Sequence, residues 1–116
     1  MRRIKCSCKT NLKQEKKTKE KISSLQNFLN VLSEETRLEI LAILASGEHC
    51  VCEIVAHLKL PQNLVSYHLK LLKEAGLVQT RREGSWILYR LSPDITARIR
   101  EVFKDLENLI KEERRG

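Results

Sequence analysis

The sequence predicts a mainly α fold with one small β-hairpin, in the order α-α-α-α-β-β-α. Three observations carry this expectation. Apolar residues recur at three- and four-residue spacings along most of the chain. Residues 77–91 instead read as two strand-like runs interrupted by Glu83-Gly84. The breakers Gly47, Pro61, Gly76, Gly84 and Pro93 all fall between these runs.

Residues 1–17 hold only Met1, Ile4 and Leu12 as large apolar residues, so they read as a basic, flexible arm. From about Thr18, the stripe Ile22, Leu25, Leu29 and Leu32 predicts an amphipathic helix. Ser33 reads as an N-cap, with Glu34 and Glu35 where the helix dipole favours acids. The next helix is apolar nearly all round (Leu38, Ile40, Leu41, Ile43, Leu44) and belongs in the core; Gly47 stops it. A short helix from roughly Cys52 to Leu58 turns inward Ile54, Val55 and Leu58. Pro61 then separates it from a helix over Asn63–Ala75, whose buried face is Val65, Leu69 and Leu72. Leu77–Arg82 and Ser85–Leu91 form the hairpin. Ser92-Pro93 opens the last helix. There Ile95, Ile99, Val102, Leu106 and Leu109 hold a 4-3-4-3 spacing, the seam of a helix that packs on a partner. Short helix, tight turn and helix make a helix-turn-helix, and the following hairpin makes its wing.

At 116 residues the chain has room for one domain, set at residues 18–112 behind the arm. A second copy would add buried surface, and Leu25 and Leu29 join the last-helix seam as the expected dimer interface. No apolar run approaches the ~20 residues of a membrane span, and the basic N-terminus leads into polar sequence. The expected location is the cytosol, where thiols stay reduced. No nucleophile–base constellation and no phosphate-cradling glycine loop is present, which argues against an enzyme.

The net charge of +7 is unevenly placed. Residues 1–21 hold nine Lys or Arg against two Glu, which is the entire excess. Such a run suits nucleic acid, an acidic protein, a membrane surface or a solvated tail. A second local excess narrows the choice. Residues 59–90 carry Lys59, Lys70, Lys73, Arg81, Arg82 and Arg90 against Glu74 and Glu83. With Val65, Leu69 and Leu72 inward, Asn63, Tyr67 and Lys70 face outward and Ser66 lies at the edge. Gln62, Asn63, Ser66 and Tyr67 occupy the first turns, the end that a recognition helix inserts in the major groove. Amides read adenine edges; Lys70 and Lys73 suit phosphates. His68 sits at the core boundary, either a structural histidine or a further DNA contact. Arg81 and Arg82 precede the hairpin tip and are placed for backbone or minor groove. The expected partner is duplex DNA, an imperfect inverted repeat with half-sites about one turn apart, bound by a homodimer.

Four cysteines form two pairs, Cys6-Ser7-Cys8 and Cys50-Val51-Cys52. In a reducing compartment this suggests soft-ion ligation first and redox sensing second. Residues two apart point oppositely in a helix and alike in an extended segment, so ligation through both Cys50 and Cys52 opposes helix formation there. A ten-residue tether behind Cys8 would span roughly 33 Å. Four thiolates suit Zn or Cd, and three suffice for As(III), Sb(III) or Pb. No organic cofactor is implied. Readings without metal remain open: a winged-helix regulator governed by oxidation or by no ligand, or a protein-interaction module.

The stretch Leu60-Pro61-Gln62-Asn63-Leu64-Val65-Ser66-Tyr67-His68-Leu69, with Ala75-Gly76-Leu77-Val78, resembles the recognition helix of the ArsR/SmtB family. Leu32–Leu41 resembles the helix before it, Arg82-Glu83-Gly84 with Tyr89 and Leu91 its wing, and Glu48–Ile54 its metal box. The resemblance covers about residues 20–110. It implies a homodimeric repressor that leaves its operator when it binds a toxic or surplus metal. This chain has no His after His68, so the family's carboxylate–histidine site in the last helices looks absent. Val55 stands where the arsenic-sensor pattern has a third cysteine. Pro61 and Ser85 also depart from the usual Ser and basic residue.

Overall fold

A computed structural model of the chain describes residues 12–115. Five helices and three strands follow one another as α1 (Leu12–Leu32), α2 (Glu35–Leu44), β1 (His49–Cys50), α3 (Val51–Leu58), α4 (Gln62–Glu74), β2 (Val78–Glu83), β3 (Trp86–Leu91) and α5 (Ile95–Arg115). The mainly helical winged helix-turn-helix expectation holds. One strand was not anticipated: β1 pairs with β3, so the hairpin is part of a three-stranded antiparallel sheet of order β1-β3-β2. Two residues cannot display a periodicity, which is why the pattern missed it.

The helix boundaries differ in instructive ways. α1 starts at Leu12, six residues before the apolar stripe. Residues 12–21 are nearly all Leu, Lys, Gln and Glu, strong helix formers without an apolar face. The arm reading therefore fails for residues 12–17, while Cys6 and Cys8 lie outside the described residues. The N-cap of α2 is Glu34, not Ser33: its carboxylate accepts the Arg37 backbone N–H at 3.2 Å. Ser33 instead donates its hydroxyl to Asn30 O at 2.8 Å, finishing α1. The hairpin turn is Gly84-Ser85, one residue later than expected, because Glu83 pairs with Trp86. Gly84 at φ +61 supplies the positive φ that a two-residue hairpin needs at its first position.

The core is a single cluster of Ile40, Leu44, Ile54, Val65, Leu69, Leu72, Leu77 and Val78, drawn from α2, α3, α4, β2 and the α4–β2 link. Each such side chain contributes roughly 1.5–3 kcal/mol on burial. The inward face expected for α4 is fully buried. Leu38 departs from the expectation for α2: it is 51% exposed.

One junction fixes how α4 meets both the wing and α5. Leu77 N–H donates to Leu72 O at 3.0 Å and Gly76 N–H to Lys73 O at 2.9 Å, with Gly76 at φ +77. This closes the helix in a Schellman motif, with Leu72 and Leu77 both buried beside it. Buried Ser92, just before α5, donates to Gly76 O at 2.7 Å, and Arg98 of α5 donates to Ala75 O at 2.9 Å. A Cβ on Gly76 would stand 3.0 Å from the Arg98 guanidinium carbon. Gly76→Ala should therefore cost about 1–2 kcal/mol, chiefly from the left-handed backbone. Urea denaturation should show a lowered midpoint with an unchanged slope.

Candidate nucleic-acid interface and thiolate site

α4 begins without a side-chain cap, as Pro61 dictates. The Pro61 carbonyl accepts from the N–H groups of Leu64 and Val65, both at 3.1 Å, and Asn63 Oδ1 accepts a second bond from Leu64 N–H at 3.0 Å. The Asn63 amide is thereby oriented, with its NH2 group remaining to donate. Gln62, Asn63, Ser66, Lys70 and Lys73 are exposed, and Tyr67 is 55% exposed. These residues share the surface of one rigid helix, whose other face is the core.

His68 does not belong to that surface. It is 7% exposed, and its Nδ1 lies 3.3 Å from Arg37 Nη1. A guanidinium only donates, so Nδ1 is the acceptor and the ring proton sits on Nε2. Glu34 Oε2 is farther from Nδ1, at 3.8 Å. Of the two roles open to His68, its burial and its Arg37 contact are those of a structural histidine and not of a DNA contact. Arg37 was not foreseen by sequence reasoning. Its Nε donates to Val31 O at 2.6 Å and its Nη2 to Asn30 O at 3.2 Å, while its Nη1 meets His68. One side chain thus closes the C-terminus of α1 and holds α4.

The wing arginines behave differently from each other. Arg81 makes a two-pronged pair with Glu48, at 2.7 and 2.9 Å, and a third contact with Glu83 at 3.2 Å. The Arg81 guanidinium holds the Glu48 carboxyl below its ordinary value of 4.5 and is itself raised in turn. A depressed carboxylate contributes stability above its unfolded pKa and loses it as pH falls through the folded one. The pair therefore persists at neutral pH and opens only well into acid. Arg82 is exposed and makes no ion pair among the described residues.

Glu48 immediately precedes the cysteine box. Cys50 is a half-buried free thiol in extended conformation, at once the N-cap of α3 and the partner of Leu88 in the wing. Cys52 is an exposed free thiol in the first turn of α3. Glu53 Oε1 accepts the Cys50 backbone N–H at 3.0 Å, and this bond is the main reason its carboxyl is lowered. His49 and His57 flank the box with ring centres 6.1 Å apart, and His49 Nδ1 donates to Gly47 O at 2.9 Å. Among the described residues, no three His, Cys, Asp or Glu side chains gather closely enough to hold an ion. The two thiols at a helix start suit soft ions, but they make only part of a three- or four-thiolate set.

The seam residues lie where α1 packs on α5. Leu25 is buried, and Leu29, Ile99, Val102, Leu106 and Leu109 are half-buried. Ile95 packs against the domain core instead. A groove of about 770 Å³ runs between the two helices, with Leu25, Phe28, Val102 and Leu109 in its lining. Ile22 on α1 and Phe103 and Ile110 on α5 are further exposed apolar residues that the single seam did not include.

Comparison with known proteins agrees with this arrangement. Residues 34–80 match the family described as bacterial regulatory protein, arsR family. The chain is 40% identical over 91 residues to an uncharacterized HTH-type transcriptional regulator of Methanocaldococcus jannaschii, covering 78% of this chain and 99% of that protein. It is 47% identical over 71 residues to the arsenical resistance operon repressor of Escherichia coli K12, covering 60% of this chain and 61% of the repressor. A homodimeric winged helix-turn-helix DNA-binding domain from Mycobacterium bovis superimposes with a TM-score of 0.62 at 26% identity, covering 88% and 90% of the two chains.

Arg37→Ala should lower stability by about 2–3 kcal/mol, because it leaves the Val31 carbonyl and a buried imidazole nitrogen without their donor, while Asn30 O keeps its bonds from Ser33. Arg37→Lys should recover less than half of that, since an ammonium cannot span all three acceptors. Chemical denaturation of the two variants measures both effects.

Proposed function

The chain belongs to the arsR family of transcriptional regulators, and from that premise we propose that it is a cytoplasmic repressor whose homodimer leaves an inverted-repeat operator when cysteine thiolates capture a soft metal or metalloid ion. It is a DNA-binding regulator and not an enzyme. Among the described residues no helix is long and apolar enough to cross a membrane. The repressor named for arsenical resistance and the homodimeric structure support the inducer class and the dimer respectively. The ions proposed are As(III) or Sb(III), Cd, Pb and Zn.

The carrying observation is the double role of Cys50. It caps the helix that packs beneath α4, and it sits in the strand that pairs with the wing. A bound ion would draw thiolates to one point. For Cys52 to place its sulfur beside that of Cys50, the first turn of α3 must give up its helical conformation. That breaks the Glu53 bond to the Cys50 N–H and shifts β1 against β3. Because Glu48 holds Arg81, the disturbance passes into the wing as well as into α4. Cys6 and Cys8 complete the set. With α1 starting at Leu12, only Lys9, Thr10 and Asn11 separate Cys8 from the helix, so the reach is about 13 Å rather than 33 Å. The arm cysteines therefore meet whichever copy of the box lies near the start of α1.

The dimer is tested by Leu106→Glu, which would bury an unpaired charge; light scattering should show monomers and DNA affinity should fall. The sensing reading is tested by titrating the reduced protein with arsenite, Cd, Pb and Zn while following release of a labelled duplex. Cys50→Ser or Cys52→Ser should abolish release and leave apo DNA binding intact. Deleting residues 1–9 should weaken metal affinity, and near-ultraviolet thiolate absorption with Cd should show fewer sulfurs bound. Release that survives loss of both Cys50 and Cys52 would overturn the reading.

A further inference from the structure

The tip of the wing carries the two most exposed large apolar residues of the sheet. Trp86 is 57% exposed and Ile87 44%. Along β3 the apolar residues grade from Leu91 and Tyr89, which pack against the core, to these two, which do not. Successive strand residues face opposite ways, so the tip is apolar on both faces of the hairpin. Trp86 stands opposite Glu83 and Ile87 opposite Arg82. Glu83 is drawn to Arg81, which Glu48 holds in place. Arg82 therefore remains as the cation at the tip.

We propose that this tip is a minor-groove wedge: Trp86 and Ile87 pack against sugars and a base step beside each recognition-helix half-site, with Arg82 on the adjacent phosphates. The proposal rests on the reading of the chain as a DNA-binding regulator and adds the residue that carries the wing's contact. Three features favour DNA as the occupant. The second copy of the chain has its own apolar surface on α1 and α5, and the α1–α5 groove includes no residue of the sheet. The wing continues directly from α4 through the closed turn at Gly76, so it lies beside the helix that presents Tyr67. Arg82 stands opposite Ile87 as an unpaired cation among the described residues, and apolar side chains beside a cation are what minor-groove binders insert at flexible pyrimidine–purine steps. The wing contact thereby moves from the pair Arg81 and Arg82 to Trp86, Ile87 and Arg82.

Trp86 is the sole tryptophan of the chain, so emission excited beyond the tyrosine absorption band reports this site alone. The test uses the full chain and a labelled duplex selected by the protein from a random-sequence pool. Anisotropy measures binding, while tryptophan emission and acrylamide quenching measure the wing. Saturating duplex should quench the emission and at least halve acrylamide access. Trp86→Ala should weaken binding about tenfold without changing the salt slope, and Trp86→Phe should keep most of the affinity. Replacing flanking G·C pairs with inosine·C, which removes the minor-groove amino group, should change the affinity of the wild type more than that of Trp86→Ala. Unchanged emission and acrylamide access on a duplex that anisotropy shows to be bound would overturn the wedge and leave the DNA-binding reading standing. Selection of no duplex would overturn both. Quenching that grows with protein concentration in the absence of DNA would place a protein surface on the tip and overturn the wedge.

Discussion

The guanidinium of Arg37 is the contact on which the arrangement of helices depends. A helix leaves its last carbonyls without partners, and those of α1 fall where the chain must turn sharply into α2. Arg37 binds two of these carbonyls, takes its own place in the helix through the Glu34 cap, and reaches across to His68. Charge-assisted bonds of this kind are stronger than neutral ones, and partial burial shields them from water. Without them α1 would be free to swing relative to α4. The helix that contributes to the proposed dimer face would then no longer fix the direction in which the recognition helix points.

A second set of contacts does for the wing what Arg37 does for the helices. A two-stranded ribbon is marginally stable alone. Here the third strand, two residues of the cysteine box, converts it into a sheet, and the Glu48–Arg81 pair ties box to ribbon from the other side. The consequence is economical in parts. The segment proposed to sense an ion is itself a structural member of the element proposed to enter the minor groove. A sensing site linked only to α4 would have to move a helix packed into the core. One linked to a short, exposed sheet has a much softer element to displace.

Much of this was legible in the sequence, because α4 and the hairpin each bury one face and expose the other, and burial imposes the periodicity that reveals them. Val65, Leu69 and Leu72 located the core face, and the exposed set from Gln62 to Lys73 followed. Three kinds of feature were not legible. The first turns of α1 are held by local propensity and not by burial, so an apolar-spacing criterion could not see them. Contacts between distant residues, such as Arg81 with Glu48 or Arg37 with His68, leave no trace in local pattern. His68 shows the cost: its position on the helical wheel was ambiguous, and only its burial against the Arg37 guanidinium of α2 decides that it faces inward. The α2 cap and the hairpin turn, too, were each shifted by one residue, at Ser33–Glu34 and at Gly84-Ser85, where neighbouring residues are both chemically competent and tertiary geometry selects between them.

The shape of the chain links these local constraints to operator geometry. Its radius of gyration is 19.2 Å and its longest dimension 64 Å, whereas a compact domain of this length would have a radius of about 13 Å. The difference lies in α1 and α5, each 21 residues long, which extend past the core and leave Ile22, Phe103 and Ile110 exposed. Burying this exposed apolar surface against another copy is what the proposed dimer would do. Arg98 and Ser92 then give that interface its meaning, because they join α5 and its approach to the closing turn of α4. The proposed dimer face is thereby tied directly to the end of the recognition helix. In the proposed dimer the packing of α1 and α5 would therefore set the separation and angle of the two recognition helices, and the soft sheet would be the part able to change that setting.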